Sequence, residues 1–192
     1  AVAFKCTTGV VAGHLGAMTD LTDHHRVEEV IRGRDEALRE LANGSPPKIV
    51  LSALIDNTEK AYPHLRCSVL LFDEDMLRLR HYSTGSLPAF YVQTFDELEI
   101  GTDVGPCGPV ALRKCRVLVE DVDTHPNWSD YKELAARADI RACWSEPLVA
   151  SDGKIMGTLA VYDRRPRHPS ADEIRFIEAT AQFAGVAIEH YQ

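Results

Sequence analysis

The apolar and polar positions of this chain change period several times, and each change marks an element. Residues 1–22 alternate as two short strands, 2–7 and 10–21, around a turn at Gly9. Val27, Ile31, Leu38 and Leu41 then fall at spacings of four, seven and three, with Arg34 on the same stripe. That is a helical seam with one charged interruption. Thr22 or Asp23 is placed to cap its first turn, Glu28 and Glu29 favour its positive end, and Asn43-Gly44 closes it. Ser45 reads as the cap of a second helix, with Pro46 and Pro47 in its first turn and Ile49, Val50, Ala53, Leu54 and Ala61 as its apolar face. Two dense strands follow at 67–73 and 77–83, joined as a hairpin by Asp73-Glu74-Asp75-Met76.

Residues 84–100 read as a loop and a short helix, 116–121 as a strand, and the region near 130–138 as a helix. Strands at 141–150 and 154–163 flank Ser151-Asp152-Gly153, a strong hairpin signal. Pro169-Ser170 opens the last helix. There Ile174, Ile177, Ala181, Ala184, Ile188 and Tyr191 alternate by three and four, and Phe176, Phe183 and Ala187 make a second stripe. A helix apolar on two sides needs two partners, its own sheet and another chain. The element order predicts an α+β fold: an antiparallel sheet with the terminal helices on one face and the middle segments on the other.

Composition narrows the function classes. Of 192 residues, 45% are apolar and 26% charged, ordinary for a globular domain. A net charge of −8 argues against nucleic acid, which is bound by clustered Lys and Arg. No apolar run approaches the roughly eighteen residues of a membrane span. The start has no signal-peptide pattern and no Met, and it begins inside a strand-like run, which reads as a piece of a longer protein. Five cysteines without a CxxC do not form a disulfide framework and point to a reduced, cytoplasmic protein.

One stretch concentrates candidate chemistry: GTDVGPCGPVALRKC, residues 101–115. Gly101, Gly105 and Gly108 fit neither GxGxxG nor GxxxxGK[ST], so a phosphate loop of either kind is not expected, although a cyclic nucleotide held differently stays open. Cys107 and Cys115 are eight apart with no nearby His, which is not a metal spacing. On a helix they would stand about 12 Å apart, too far for a direct bridge. Cys107 sits near a helix N-terminus, where a thiol pKa can fall. Plain packing, the common role of a buried free Cys, is the competing reading.

The remaining motifs carry a resemblance. Gly105/Cys107/Gly108, Glu120-Asp121, His125-Pro126-Asn127-Trp128, Cys143-Trp144-Ser145-Glu146-Pro147 and Gly157-Thr158 follow in order. Over roughly residues 46–190 the chain resembles a GAF domain, nearest the bacterial type found beside PAS domains in sensor proteins. It departs at Gly108-Pro109, where Gly-Thr is commoner and where Pro removes a donor and a hydroxyl. Asp20-Leu21-Thr22 running into a helix resembles the end of a PAS domain. The resemblance implies three parts: a PAS-like remnant at 1–22, a linker or signalling helix at 23–44, and a GAF domain at 45–192.

The resemblance further implies a cytoplasmic sensory module without catalysis. It would hold an unidentified small molecule, form a homodimer, and relay to an output domain of histidine kinase or cyclic-di-GMP synthase or phosphodiesterase type. The candidate ligand-binding residues are Phe90, Tyr91, Cys107, Trp128, Tyr131, Cys143, Trp144 and Glu146. Each has a plain structural alternative: Trp128 can cap the sheet end, one of Cys143 and Trp144 must face the terminal helices, and Asp121 can hold the loop of His125. The candidate dimer contacts are Val27, Ile31, Leu38, Leu41, Ile174, Ile177, Ala181 and Ile188. No metal is expected and no cofactor is named, and the Cys-His context of bilin attachment is absent. Two alternatives stand beside this reading. One is a GAF-fold free-methionine sulfoxide reductase using Cys107, Cys115 and Cys143, and the other is a ligand-free spacer.

Overall fold

Among the described residues, six strands form one antiparallel sheet in the order β3-β2-β1-β6-β5-β4. They are β1 (Leu65–Asp73), β2 (Arg78–Thr84), β3 (Leu98–Glu99), β4 (Val117–Val119), β5 (Ala142–Val149) and β6 (Ile155–Asp163). The structure is a computed structural model that describes residues 21–73, 77–96, 98–99 and 107–191, without the side chains of 21–27, 98–99 and 111–112. The expected PAS-like strands therefore lie outside the described residues, as do Gly101 and Gly105. The central strand β6 is buried along all nine residues, because elements cover both sides of it.

Three helices cover one face: α1 (Leu21–Ala42), α2 (Pro47–Ala61) and α6 (Ala171–Glu189). Leu51, Leu54 and Ile55 of α2 and Ile177, Ala181 and Ala184 of α6 pack on Cys67, Val69, Trp144, Leu159 and Val161 of the sheet. The α6 start is fixed by a capping box between Ser170 and Glu173. Farther along, Gly185 lets α6 approach the backbone of Val149, whose oxygen would lie 2.4 Å from an added Cβ. Helix α1 lies on α2 rather than on the sheet: Ala37 is fully buried, and Gly33 leaves space for Asn57, whose Nδ2 donates to the Gly33 carbonyl at 2.9 Å.

The helix ends follow the expected chemistry in part. Gly44 closes α1 at φ 71, the left-handed conformation that Gly adopts freely. Ser45 does not cap α2; Pro46 is its N-cap residue, and the Ser45 hydroxyl donates instead to Glu40 of α1. Gly153 turns the β5–β6 hairpin at φ 85. The two-residue strand β3 lies within 84–100, where only loop and helix were expected.

The opposite face is covered by α3 (Ala89–Thr94), α4 (Cys107–Arg113), a 3₁₀ turn at Pro126–Tyr131 and α5 (Lys132–Arg137). A second apolar cluster fills the space beneath them, including Leu70, Leu79, Tyr91, Phe95, Trp128 and Tyr162.

Candidate functional site

Strand alternation decides which candidates meet. On β5, Cys143 packs into the second cluster, and the Ser145 hydroxyl donates to Cys107 Sγ at 3.7 Å. Trp144 packs on the opposite side with the terminal helices. Glu146 shares that side, where Arg116 binds it and also reaches Glu178 of α6 at 3.1 Å. Trp144 and Glu146 are therefore corrected as pocket candidates: they belong to the helix face, with the Arg167 guanidinium 5.6 Å from the Trp144 ring.

The structure brings the other six candidates to the α3–α5 face. Tyr91 from α3 stands edge-on to Tyr162, with centroids 5.6 Å apart. Phe95 stacks between Tyr91, Trp128 and Tyr131 at 4.8, 6.1 and 5.1 Å. Phe90 lies at the margin, with the Arg137 guanidinium 4.7 Å from its ring. His125, Pro126 and Asn127 set Trp128 in place: His125 Nδ1 accepts from the Asn127 N–H at 3.3 Å, and the His125 N–H donates to the Asp121 carbonyl at 3.1 Å. The Asp121 carboxylate accepts from the Asp123 N–H at 3.0 Å, so its role is to hold this loop.

Beneath these aromatic groups the floor is small and polar. Ser68 on β1 pairs with Ala160 on β6, which pairs with Ser145 on β5; Leu70 pairs with Thr158, which pairs with Pro147. Ser68, Ser145, Thr158 and Ala160 are all fully buried. Ser68 Oγ lies 3.4 Å from Tyr162 Oη. Thr158 Oγ1 and Trp128 Nε1 are sealed from solvent and have no hydrogen-bond partner among the described residues. Unpaired polar atoms at such depth are uncommon in folded proteins.

Burial disfavours the thiolate form of both cysteines on this face. Burial pushes the Cys107 thiol up, and the nearby Ser145 and Thr158 hydroxyls oppose that only in part, with Thr158 outside hydrogen-bonding geometry. Burial also pushes Cys143 well up, with Cys107 adding to it. At Cys107 desolvation thus outweighs any lowering by the α4 start, in keeping with the packing reading. Cys115 is disulfide-bonded, with its partner outside the described residues, which departs from the expectation of wholly reduced cysteines. Among the described residues no group of His, Cys, Asp and Glu is placed to hold a metal.

The candidate dimer residues divide. Ile177, Ala181 and Ile188 are buried in the chain's own core and Leu41 packs against it, so these four are corrected as contacts for a partner. Ile174 is half-buried. Ile31 and Leu38 are exposed, as are Ile49 and Val186. Val30, Leu54, Phe176, Phe183 and Val186 border an apolar groove of about 480 Å³ between α1, α2 and α6. The Val27 side chain lies outside the described residues. No described helix is long and apolar enough to cross a membrane.

Comparison with known proteins agrees with this geometry. A family model described as GAF domain matches residues 44–189. A methyl sulfide methyltransferase-associated sensor from Methanosarcina acetivorans is 31% identical over 184 residues, 96% of this chain. The chain spans 18% of that relative's length. The GAF domain of a phosphoenolpyruvate-protein phosphotransferase from Coxiella burnetii superposes with a TM-score of 0.72 at 19% identity, covering 89% of this chain and 96% of that one. Free methionine-R-sulfoxide reductase from Neisseria meningitidis, solved with its substrate, gives 0.68 at 18% identity, covering 93% and 96%.

Proposed function

Because the chain belongs to the GAF domain family, we propose that it is a sensory regulatory module: it holds a small molecule on the α3–α5 face and signals through its terminal helices. The observation that carries this reading is the buried polar floor. Ser68, Ser145 and Thr158 lie under aromatic side chains, and Thr158 Oγ1 and Trp128 Nε1 have no hydrogen-bond partner among the described residues. A packing-only core favours apolar atoms there, since a buried donor without an acceptor costs about 1–3 kcal/mol. A ligand with matching groups removes that cost.

The 31%-identical relative is named as a sensor and is several times longer than this chain, which supports a module serving an output elsewhere in a full-length protein. That output is of histidine kinase or cyclic-di-GMP type. The exposed Ile31 and Leu38, seven residues apart on α1, supply a seam for a second copy in a homodimer. Native mass spectrometry of the purified chain tests the ligand. Retention of a small molecule by the folded chain, lost on unfolding, is expected. A clean apo mass from every expression host, with no shift in melting temperature across a metabolite library, favours a ligand-free spacer. Sedimentation tests the dimer, and a monomer throughout the micromolar range refutes it.

The sulfoxide reductase reading rests on the fold likeness and on Cys107, Cys115 and Cys143. Burial raises the Cys107 and Cys143 thiols, the reverse of what a nucleophilic thiolate needs. Thiol-dependent reduction of free methionine sulfoxide by the purified chain would overturn the non-catalytic assignment.

A further inference from the structure

A third set of unpaired polar atoms lies on the same sheet face. His81 of β2 pairs with Leu70 across the β1–β2 ladder, and Leu70 pairs with Thr158 across the β1–β6 ladder. A register shift between Val69 and Leu70 makes this row: Ser83 opposes Val69 while His81 opposes Leu70, leaving Tyr82 as the extra residue. Ser83 then points to α2, where it meets the Ser52 hydroxyl at 2.8 Å, and His81 shares the face of Leu79 and Leu70. Both imidazole nitrogens of His81 are sealed from solvent and have no hydrogen-bond partner among the described residues. The backbone N–H of His81 donates to Asp96 Oδ1 at 3.3 Å, which anchors the chain after Phe95 beside it. Burial lowers the His81 pKa, with Asp96 opposing, so the ring is held neutral and offers one donor and one acceptor.

The charges of this face set a second constraint. The buried acids Glu146, Asp163 and Glu173 belong to the helix face and its rim, where Arg116, Arg167 and His64 pair them. On the α3–α5 face Arg137 lies at the Phe90 margin, and Arg66 stands four residues before Leu70 on β1, about 13 Å along the strand. Its Nη1 donates to the Ala138 carbonyl, while its Nε is sealed without a hydrogen-bond partner among the described residues. The row His81–Leu70–Thr158 therefore has neutral hydrogen-bonding groups at both ends and an apolar centre. The Asp96 carboxylate beside His81 is exposed and already accepts from the His81 N–H, so a charged ligand buried over Leu70 would be desolvated without a buried counter-charge among the described residues, which is unfavourable.

We propose that this row recognises an uncharged, flat heteroaromatic molecule of two or three fused rings. It would take the place of side chains that now cover Leu70, which is 1% exposed, and hydrogen-bond to His81 at one end and Thr158 at the other, about 10 Å apart across two strand spacings. This rests on the ligand-binding reading above and names the ligand's chemical class. Thr158 also neighbours Cys107 at the start of α4, so the same ligand contacts the wall that α4 forms.

Ligand-observed NMR of the purified chain tests it, against a fragment set with equal shares of neutral heteroaromatics, carboxylates and phosphates, and ammonium compounds. Neutral heteroaromatics are expected to dominate the hits. Thr158→Val and His81→Leu are each expected to weaken those hits about five- to tenfold, and Thr158→Ser to restore them. Near-UV circular dichroism of each variant confirms the fold, and a variant that fails it is replaced by Thr158→Ala or His81→Phe. Hits confined to anionic or cationic compounds, or neutral hits unaffected at both positions, overturn the assignment while leaving a binding module. No hits in any class sinks the ligand-binding reading itself.

Discussion

Glu173 offers the sharpest test of the helix face. It is buried at the start of α6, where Arg167 donates to both its carboxylate oxygens at 2.7 and 2.8 Å and the Ser170 N–H donates at 2.7 Å. His64 Nε2, from the segment before β1, lies 2.9 Å from Oε1. Arg167 also donates to Asp163 at 2.6 Å, so one guanidinium ties the end of β6 to the first turn of α6. Burial pushes the Glu173 carboxyl up, but these donors outweigh it and hold the pKa at about 2, against an ordinary 4.5. The folded value lies below the unfolded one. The stabilisation is therefore complete above about pH 4.5 and fades as the pH falls toward 2. Its full size is about 3 kcal/mol. Glu173→Gln keeps the shape and removes the charge, so it should lower the melting temperature by about 5–10 °C at pH 7. Urea unfolding of both proteins should show a gap that is constant from pH 7 to 5 and about 1.4 kcal/mol smaller at pH 3.5. A gap independent of pH, or under about 0.5 kcal/mol at pH 7, refutes the assigned role.

Three further outcomes follow from the same packing. Gly185→Ala should destabilise: helix propensity favours Ala by about 1 kcal/mol, but its Cβ meets the Val149 carbonyl and overpacking costs about 1–3 kcal/mol. A raised melting temperature would show that α6 does not seat on β5 in this way. Arg116→Met leaves the buried Glu146 unpaired and should cost about 3–5 kcal/mol, whereas Glu178→Ala removes only the exposed arm of the contact and should cost under about 1 kcal/mol, so equal losses in urea refute the asymmetry. Cys67, Cys107 and Cys143 are buried thiols of raised pKa, so a disulfide reagent at pH 8 should label them slowly in the folded chain and rapidly in urea; a fast native phase at any of them contradicts the burial.

The elements were legible where local chemistry specifies them. Asp152-Gly153 marked its hairpin because the turn needs a positive φ, and Ser170 marked the α6 start because its hydroxyl serves the Glu173 N–H. The faces were not legible. Alternation separates Cys143 from Trp144 but cannot say which side holds the terminal helices, and β5 and β6 are buried on both sides, so polarity gives no direction. The seam of Val27, Ile31, Leu38 and Leu41 looked continuous, yet Leu41 packs inward while Ile31 and Leu38 face outward, because Gly33 and Ala37 are what bring α1 onto α2. His81 was missed for a related reason. It sits in Arg78–Thr84, a run rich in charge that reads as an exposed edge, and only the register shift at Val69/Leu70 turns it inward.

The two faces of the sheet differ in kind, and that difference bears on how a signal could cross it. The helix face and its rim carry the buried ion pairs: Arg116 with Glu146, and Arg167 with Asp163 and Glu173. Such pairs resist rearrangement, because separating a buried partner exposes an uncompensated charge. The α3–α5 face holds hydroxyls, thiols, an indole and an imidazole, several with unused hydrogen-bonding capacity. Neutral groups can exchange partners at about 1 kcal/mol each, so this is the face where a ligand can alter local structure without breaking the fold. Arg116 joins the two. It follows α4 by three residues, yet its guanidinium grips Glu146 beneath the helices and Glu178 on α6. A displacement of α4 by a molecule seated on Thr158 therefore acts on a charged contact at the terminal helix, through one side chain whose removal Arg116→Met already measures.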